Sequence, residues 1–342
     1  MQTYLVTGAS GYIASWIVKF LLEKGEKVHG TVRSLNNVEK ISHLLVLQKK
    51  YPDQLMLFEA DLLNKESFKA AMKGCSVVLH TASPFIIGKT GNVHRDLIRP
   101  ALEGTRNVLT LANDFKEVRR VVLTSSVAAV YSDAADLEKT SNGVFTEADW
   151  NTLSNEKHNP YQFSKTIAER EAWRIAGEQT RWKLTVINPG LVLGPSLSKR
   201  TDSTSIGIMR SLTNGKFRSG VPDLYFGIVD VRDVAKAHIL AASSEHSDGR
   251  HICVSETLSL ISIAKILRDH FPDLPVPKSV LPKIFLYLAA PLIGFTWKFI
   301  RLNAGFPFRF DNQKSIQLGL EYSPVGKTII DHARQLLEND LV

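Results

Sequence analysis

The chain has 342 residues, 44% hydrophobic and 22% charged, with 42 Lys and Arg against 34 Asp and Glu for a formal charge of +8. This composition supports a sizeable buried core, suggests about two lobes, and excludes a disordered, collagenous or coiled-coil chain. No run of five or six like charges occurs, so the cationic excess reads as a diffuse, solvated surface rather than a nucleic-acid or membrane patch.

Residues 3–8 read as a short buried strand ending at Gly8. A helix follows, with Ile13, Ile17, Phe20 and Leu21 at helical spacing and Lys24-Gly25 closing it. Further strands are predicted at Val28 to Val32, Leu55 to Glu59, Val77 to Leu79, Arg120 to Leu123 and Leu184 to Ile187. Helices are predicted from about Asp96 to Asn113 and around Tyr161 to Ala176. Short apolar strands alternating with helices mean an α/β fold with a doubly wound parallel sheet. After Asn188-Pro189-Gly190 the texture changes. Residues 194–227 are rich in Ser, Thr, Gly and Arg, and residues 272–310 are rich in Pro. The expected division is residues 1–190 as a nucleotide-binding domain, with 229–245 returning to it, and 191–342 as a smaller substrate lobe. Asp230 and Asp233 would cap and tether the returning helix.

The longest apolar stretch, Ile284 to Trp297, has 14 residues and is broken by Pro291 and Gly294. A membrane span needs about 20, so no span is expected and the stretch reads as a core helix. Cys75 and Cys253 have no CxxC spacing, and the ten histidines show no paired ligand spacing. Disulfides and metal are therefore not expected. Met1 runs straight into Tyr4-Leu5-Val6 without the regions of a signal peptide, and a cytoplasmic location is expected.

Between the first strand and its helix lies Thr7-Gly8-Ala9-Ser10-Gly11-Tyr12-Ile13-Ala14. Gly8 permits a tight turn, Gly11 lets a pyrophosphate approach the backbone, and the free N–H groups of the helix start bind its charge. An acid near the end of the second strand would hold a ribose 2′-hydroxyl. Here Arg33 stands instead, followed by Lys40, a cationic pair suited to a 2′-phosphate. The pattern therefore favours NADPH/NADP+ over NADH. Asp61-Leu62, after the third strand, is placed to meet the adenine.

Tyr161 and Lys165 are four residues apart on one helical face. A free phenol, with a pKa near 10, gives up its proton poorly at neutral pH, and a nearby ammonium would ease that transfer. Ser126, at the end of a sheet strand, can hydrogen-bond the same substrate oxygen. Ser125 is adjacent, and because neighbouring strand positions point to opposite faces only one of the two serines can take this role.

With these pieces the sequence resembles the extended short-chain dehydrogenase/reductases of the NAD-dependent epimerase/dehydratase superfamily, in the group of dihydroflavonol, cinnamoyl-CoA and phenylacetaldehyde/methylglyoxal reductases. The resembling segments are TGASGYIASWIVK at 7–19, HTASP at 80–84, EGTRNVL at 103–109, VVLTSSVAAVY at 121–131, YQFSKTIAE at 161–169, NPGLVLGP at 188–195 and VDVRDVAKAH at 229–238. The resemblance implies a Rossmann fold with a smaller C-terminal α/β substrate lobe, and an NADPH-dependent carbonyl reductase. It implies catalytic Ser126, Tyr161 and Lys165. It implies cofactor contacts from Gly8, Ser10, Gly11, Tyr12, Ile13, Arg33, Lys40, Asp61, Leu62, Thr81, Ala82, Ser83, Pro189, Gly190, Leu191, Val192 and Ser205, besides Tyr161 and Lys165. Two departures stand out. Tyr131 replaces the Asn by which dihydroflavonol reductases contact their substrate, and NPYQFSK replaces the NWYCYGK of cinnamoyl-CoA reductases at 159–165. Phe85, Tyr131, Tyr225 and Phe226 are the expected substrate contacts, suiting an aromatic or medium-chain apolar carbonyl. A sugar-nucleotide epimerase or a 3β-hydroxysteroid-type dehydrogenase is the alternative activity. Relatives pair helices near 96–113 and 161–176, so a monomer or homodimer is expected, with a small-molecule substrate and no nucleic acid.

Overall fold

The computed structural model describes residues 1–84, 91–199, 203–245, 247–293 and 295–342. The first part of the chain forms β1 (Thr3–Thr7), α1 (Tyr12–Glu23), β2 (Lys27–Val32), α2 (Val38–Lys50), β3 (Leu55–Glu59), α3 (Lys69–Met72), β4 (Val77–His80), α4 (Arg99–Ala112), β5 (Arg120–Thr124), α5 (Pro160–Gly177) and β6 (Lys183–Pro189). The remainder forms β7 (Leu191–Leu193), α6 (Thr204–Thr213), β8 (Tyr225–Asp230), α7 (Val231–Ser243), β9 (Gly249–Cys253), β10 (Glu256–Ser259), α8 (Leu260–His270), α9 (Lys283–Ile293), α10 (Trp297–Asn303), α11 (Gln313–Gln317) and α12 (Val325–Glu338).

Seven parallel strands form the central sheet in the order β3-β2-β1-β4-β5-β6-β9. Strand alternation divides the apolar side chains between its two faces. Tyr4 and Val6 join Ile17 of α1, Leu44 of α2 and Val234 of α7. Leu5 and Val121 join Leu109 of α4 and Ile175 of α5 on the other side. Burial on both faces explains why these strands read as continuous apolar runs. The chain winds outward one way through β2 and β3, then returns to start β4 on the other side of β1. That reversal opens a crevice at the carboxyl ends of β1 and β4.

A single residue, Gly190, separates β6 from β7, so the second sheet, ordered β10-β8-β7, hangs directly from the carboxyl edge of the first. Its core joins Ile206 and Met209 of α6, Ile263 and Leu267 of α8, and Ile329 and Ala333 of α12. The chain crosses back through α7, whose Asp230 N-cap accepts from the Arg232 amide at 2.8 Å, while Asp233 accepts from the Ser323 amide at 2.6 Å. β9 then adds the outermost strand beside β6. Both cysteines are buried and free. The Ile284 to Trp297 stretch differs from the expected core helix. Leu286 and Ala290 are buried, but Ile284, Phe285, Leu288 and Trp297 face solvent.

Candidate active site

The crevice opens into a cavity of about 700 Å³ between the two lobes. Gly8, Gly11, Tyr12, Ile13 and Ala14 form one end of its wall. Gly8 has φ +66°, and a Cβ there would lie 3.1 Å from the Ala82 Cα, so only glycine fits without strain. Gly11 is the N-cap of α1 and offers its first turn no side-chain acceptor; that turn carries no acid either. The orphan N–H groups and the positive end of the helix dipole are left for an anion. This cradle fits a dinucleotide pyrophosphate. Beside it, Thr7 Oγ1 accepts from the Thr81 and Ala82 amides at 3.1 and 3.0 Å and meets His80 Nδ1 at 2.8 Å. Burial brings His80 down to about 3, so it stays neutral. This hub shapes the turn that brings Thr81 and Ser83 to the cavity and seats Ala82 beneath Gly8.

The reactive side chains lie along the same wall. Asn159 adopts the left-handed conformation, φ 55°, and Pro160 occupies the first turn of α5. Asparagine tolerates that conformation, and proline suits a helix start. Asn159 Nδ2 donates to the Ser132 carbonyl at 2.9 Å and to Asp133 Oδ1 at 3.0 Å, which fixes where α5 begins and places Tyr161 in its first turn. Tyr161, Lys165 and Ser126 all line the cavity. The Ser126 and Tyr161 hydroxyls are hydrogen bonded, and Lys165 Nζ lies 6.0 Å from the Tyr161 ring centre. Burial pushes the Tyr161 phenol up to about 12, against the opposing effect of the Ser126 bond. Burial also brings Lys165 down to about 8, with the Glu169 charge working against it. The expected softening of the phenol by the ammonium is not seen: burial raises the phenol, and what opposes it is Ser126 rather than Lys165. At neutral pH the phenol holds its proton and the lysine is charged.

The adjacent serines face different partners. Ser125 donates to Glu169 Oε2 at 2.5 Å. Glu169, fully buried on α5, also receives Asn188 Nδ2 at 2.8 Å and Arg250 Nε at 2.6 Å. The sequence alone does not mark Glu169, Arg250 and Asn188 as a group behind the site. One signal was present: Glu169 stands four residues beyond Lys165, on the same helical face. A second buried network joins His158 to Asp133 Oδ2 at 2.7 Å, and Asn303 of α10 to Asp133 Oδ1 at 2.7 Å. Burial pulls the Asp133 carboxyl upward, but bonds from His158, Asn303 and Asn159 outweigh it and hold it below the usual range. His158 lines the cavity.

Pro189, Gly190, Leu191, Val192 and Ser205 line the cavity together with Tyr131 and Phe226. Tyr131 stacks on Phe145 at 4.8 Å, beside Phe308 and Phe310. Tyr225 is not among the lining residues. Strand alternation sends it into the cluster around Phe145 and turns Phe226 to the cavity. Phe85 lies outside the described residues. Arg33 and Lys40 are exposed, just past β2 and in the first turn of α2, and Ser10 sits half-buried in the glycine loop. Asp61 is exposed past β3, where its Oδ1 accepts from the Leu63 amide at 2.9 Å. Leu62 turns inward against Gly104, and its carbonyl accepts from Asn107 at 2.7 Å. None of these five residues lines the cavity. Phe295, Thr296 and Phe299 from the second lobe do, and were not anticipated. Among the described residues no cluster of His, Cys, Asp and Glu could hold a metal ion.

A doubly wound parallel sheet, a glycine cradle at its switch point and a Ser-Tyr-Lys group define a nucleotide-dependent oxidoreductase-type fold. The chain belongs to the NAD dependent epimerase/dehydratase family, whose profile matches residues 4–254. It is similar to cinnamoyl-CoA reductase 2 of Medicago truncatula, 38% identical over 98% of this chain and 92% of that protein. Among solved structures it resembles yeast methylglyoxal/isovaleraldehyde reductase Gre2 complexed with NADPH, 30% identical, with a TM-score of 0.81 and all of both chains covered. The Gre2–NADPH complex from Candida albicans is 33% identical, with a TM-score of 0.80 over 99% of each chain.

Proposed function

We propose that the chain is an NADPH-dependent reductase that converts apolar aldehydes or ketones, aromatic or of medium chain length, to alcohols. The observation that carries this reading is the bonded pair of Ser126 and Tyr161 hydroxyls on the wall of a cavity that begins at the glycine cradle. Arg33 and Lys40 support the phosphorylated cofactor, as does likeness to two reductases solved with NADPH. Leu97, Val127, Tyr131, Phe226, Phe295 and Phe299 support an apolar substrate.

When bound, the reduced nicotinamide supplies a hydride to the carbonyl carbon. Tyr161 and Ser126 orient the carbonyl oxygen by hydrogen bonds, and Tyr161 donates its proton to that oxygen. Burial keeps the phenol protonated until it is needed. Lys165, charged below about pH 8, would hold the nicotinamide ribose and stand by the growing negative charge. Donors aimed at the developing alkoxide supply the main rate enhancement.

The test is NADPH oxidation with a panel of aldehydes and ketones, with products identified. Net oxidation that falls about 10²–10⁴-fold in Tyr161→Phe is the expected result. Full activity in that variant would remove the assignment. Turnover of a nucleotide sugar without net change in cofactor would indicate an epimerase instead.

A further inference from the structure

Residues 274–310 contain no Asp or Glu but five cations, Lys278, Lys283, Lys298, Arg301 and Arg309. Acids are 34 of the 342 residues, a frequency that would place about three or four in a stretch this long. The same stretch carries the most prominent exposed apolar group of the second lobe. Ile284, Phe285 and Leu288 of α9 are 62%, 57% and 71% exposed, and Trp297 at the start of α10 is 66% exposed. Leu286 and Ala290 bury the opposite side of α9. Trp297 Nε1 donates to the Tyr287 carbonyl at 3.1 Å, which ties the indole to the α9 surface. Lys278, Lys283, Lys298 and Arg301 are all exposed.

We propose that the α9–α10 face seats the protein on an anionic lipid surface, with Ile284, Phe285, Leu288 and Trp297 entering the headgroup boundary and the surrounding cations meeting lipid phosphates and carboxylates. At about 1.5 Å per residue α9 is far too short to cross a bilayer, and among the described residues no helix is long and apolar enough to do so. An in-plane helix with one apolar side, an interfacial indole and basic neighbours is the arrangement that lies on a membrane. Charge selects lipid over a second copy of the chain. A two-fold interface sets the same patch against itself and brings its cations together, and the segment's own residues include no acid to offset them. The cavity is close by, because Phe295, Thr296 and Phe299, which line it, belong to the same segment.

The experiment is co-sedimentation of the full chain with phosphatidylcholine vesicles and with vesicles containing one quarter phosphatidylserine. The chain is expected to bind the anionic vesicles at least about five-fold better, with binding weakened by salt. Ile284→Glu/Leu288→Glu is expected to lose binding about ten-fold or more, keeping wild-type thermal unfolding and turnover in solution. Val46→Glu, which replaces an exposed apolar residue on α2, is expected to change nothing. Should the double variant misfold, the exposed-charge variant Lys298→Glu/Arg301→Glu is expected to show the same loss. Equal sedimentation with and without anionic lipid overturns the proposal, as does unaltered binding in the variants. Light scattering that shows a dimer split by Leu288→Glu would assign the face to a second copy and also overturn it.

Discussion

Arg250 reaches from β9 to donate its Nε to Glu169 at 2.6 Å, and this buried pair lies directly behind Lys165. Trp150 covers the Arg250 guanidinium at 4.0 Å, and the Asp149 carbonyl accepts from Nη1. The outermost strand of the sheet thus holds a carboxylate one helical turn from the cavity lysine. Burial alone drives Lys165 toward neutrality, and the Glu169 charge restrains that drift. The ammonium is present below about pH 8 and is lost as pH rises through that value. Glu169→Gln removes the restraint, so the alkaline fall of kcat is expected to move to lower pH by on the order of one unit. Arg250→Met leaves the carboxylate buried without its cation, and a destabilisation of about 3–5 kcal/mol is expected in denaturant titration. If Glu169→Gln lowers stability but leaves the pH profile in place, Glu169 is only a packing residue.

The two serines are separable by kinetics. Ser126 is bonded to Tyr161 at the cavity, whereas Ser125 donates to Glu169. Ser126→Ala is expected to lower kcat about 10²-fold, because it removes one donor to the developing oxyanion, and to cost about 1 kcal/mol of stability, because the Ser126 Oγ also accepts from the Ala128 amide at 3.1 Å. Ser125→Ala breaks a bond to a buried carboxylate, and a stability loss of about 1–3 kcal/mol is expected with a much smaller effect on kcat. The reverse result would exchange the roles of the two residues.

Cofactor choice is expected to depend on Arg33, exposed beyond the end of β2, where the Thr31 hydroxyl accepts from the Gly8 amide at 3.2 Å. That contact ties the strand end to the glycine cradle. Arg33→Asp replaces a cation with an acceptor suited to a free ribose hydroxyl. KM for NADPH is expected to rise about 10–100-fold while KM for NADH changes little or improves, as measured with one aldehyde at saturation. Unchanged NADPH kinetics would move the 2′-phosphate contact to another residue.

β1, β4, β5 and β6 were legible because both faces of the sheet are covered there and their residues are almost all buried, whereas the edge strand β3 was legible from its apolar composition although Met56 faces solvent. β9 was not legible. Its Gly-Arg-His-Ile-Cys sequence looks polar, and Arg250 is tolerated there only because Glu169 and Trp150 lie across from it. α2 was also missed, since the contiguous run Leu44 to Leu47 and the exposed Val38 and Val46 blur the helical spacing of its buried Ile41, Leu44 and Leu47. In the site, the Tyr161–Lys165 spacing and the glycine loop follow from local geometry and could be read directly. Choosing Phe226 over Tyr225 needed the register of β8, and Phe295 and Phe299 needed the docking of a helix far along the chain. The solvent-facing side of α9 was hidden for the opposite reason: an apolar run gives no sign of whether a partner element covers it.

The joint between the two sheets makes the last expectation sharp. Gly190 is the only residue between β6 and β7, and a Cβ there would lie 2.1 Å from the Gly227 carbonyl oxygen of β8. No rotamer relieves a clash between a Cβ and a backbone atom, so β7 and β8 would have to separate. Because Gly190 and Gly227 both line the cavity, that movement reaches the site as well as the core. Gly190→Ala is expected to cost about 1–3 kcal/mol in denaturant unfolding, the usual range for overpacking. It is also expected to weaken NADPH binding at least about ten-fold in a fluorescence titration, since a shift of about 1 Å in a positioning element is enough for effects of that size. A variant with wild-type stability and affinity would mean that β7 and β8 part easily and that the lobes are joined more loosely than this contact indicates.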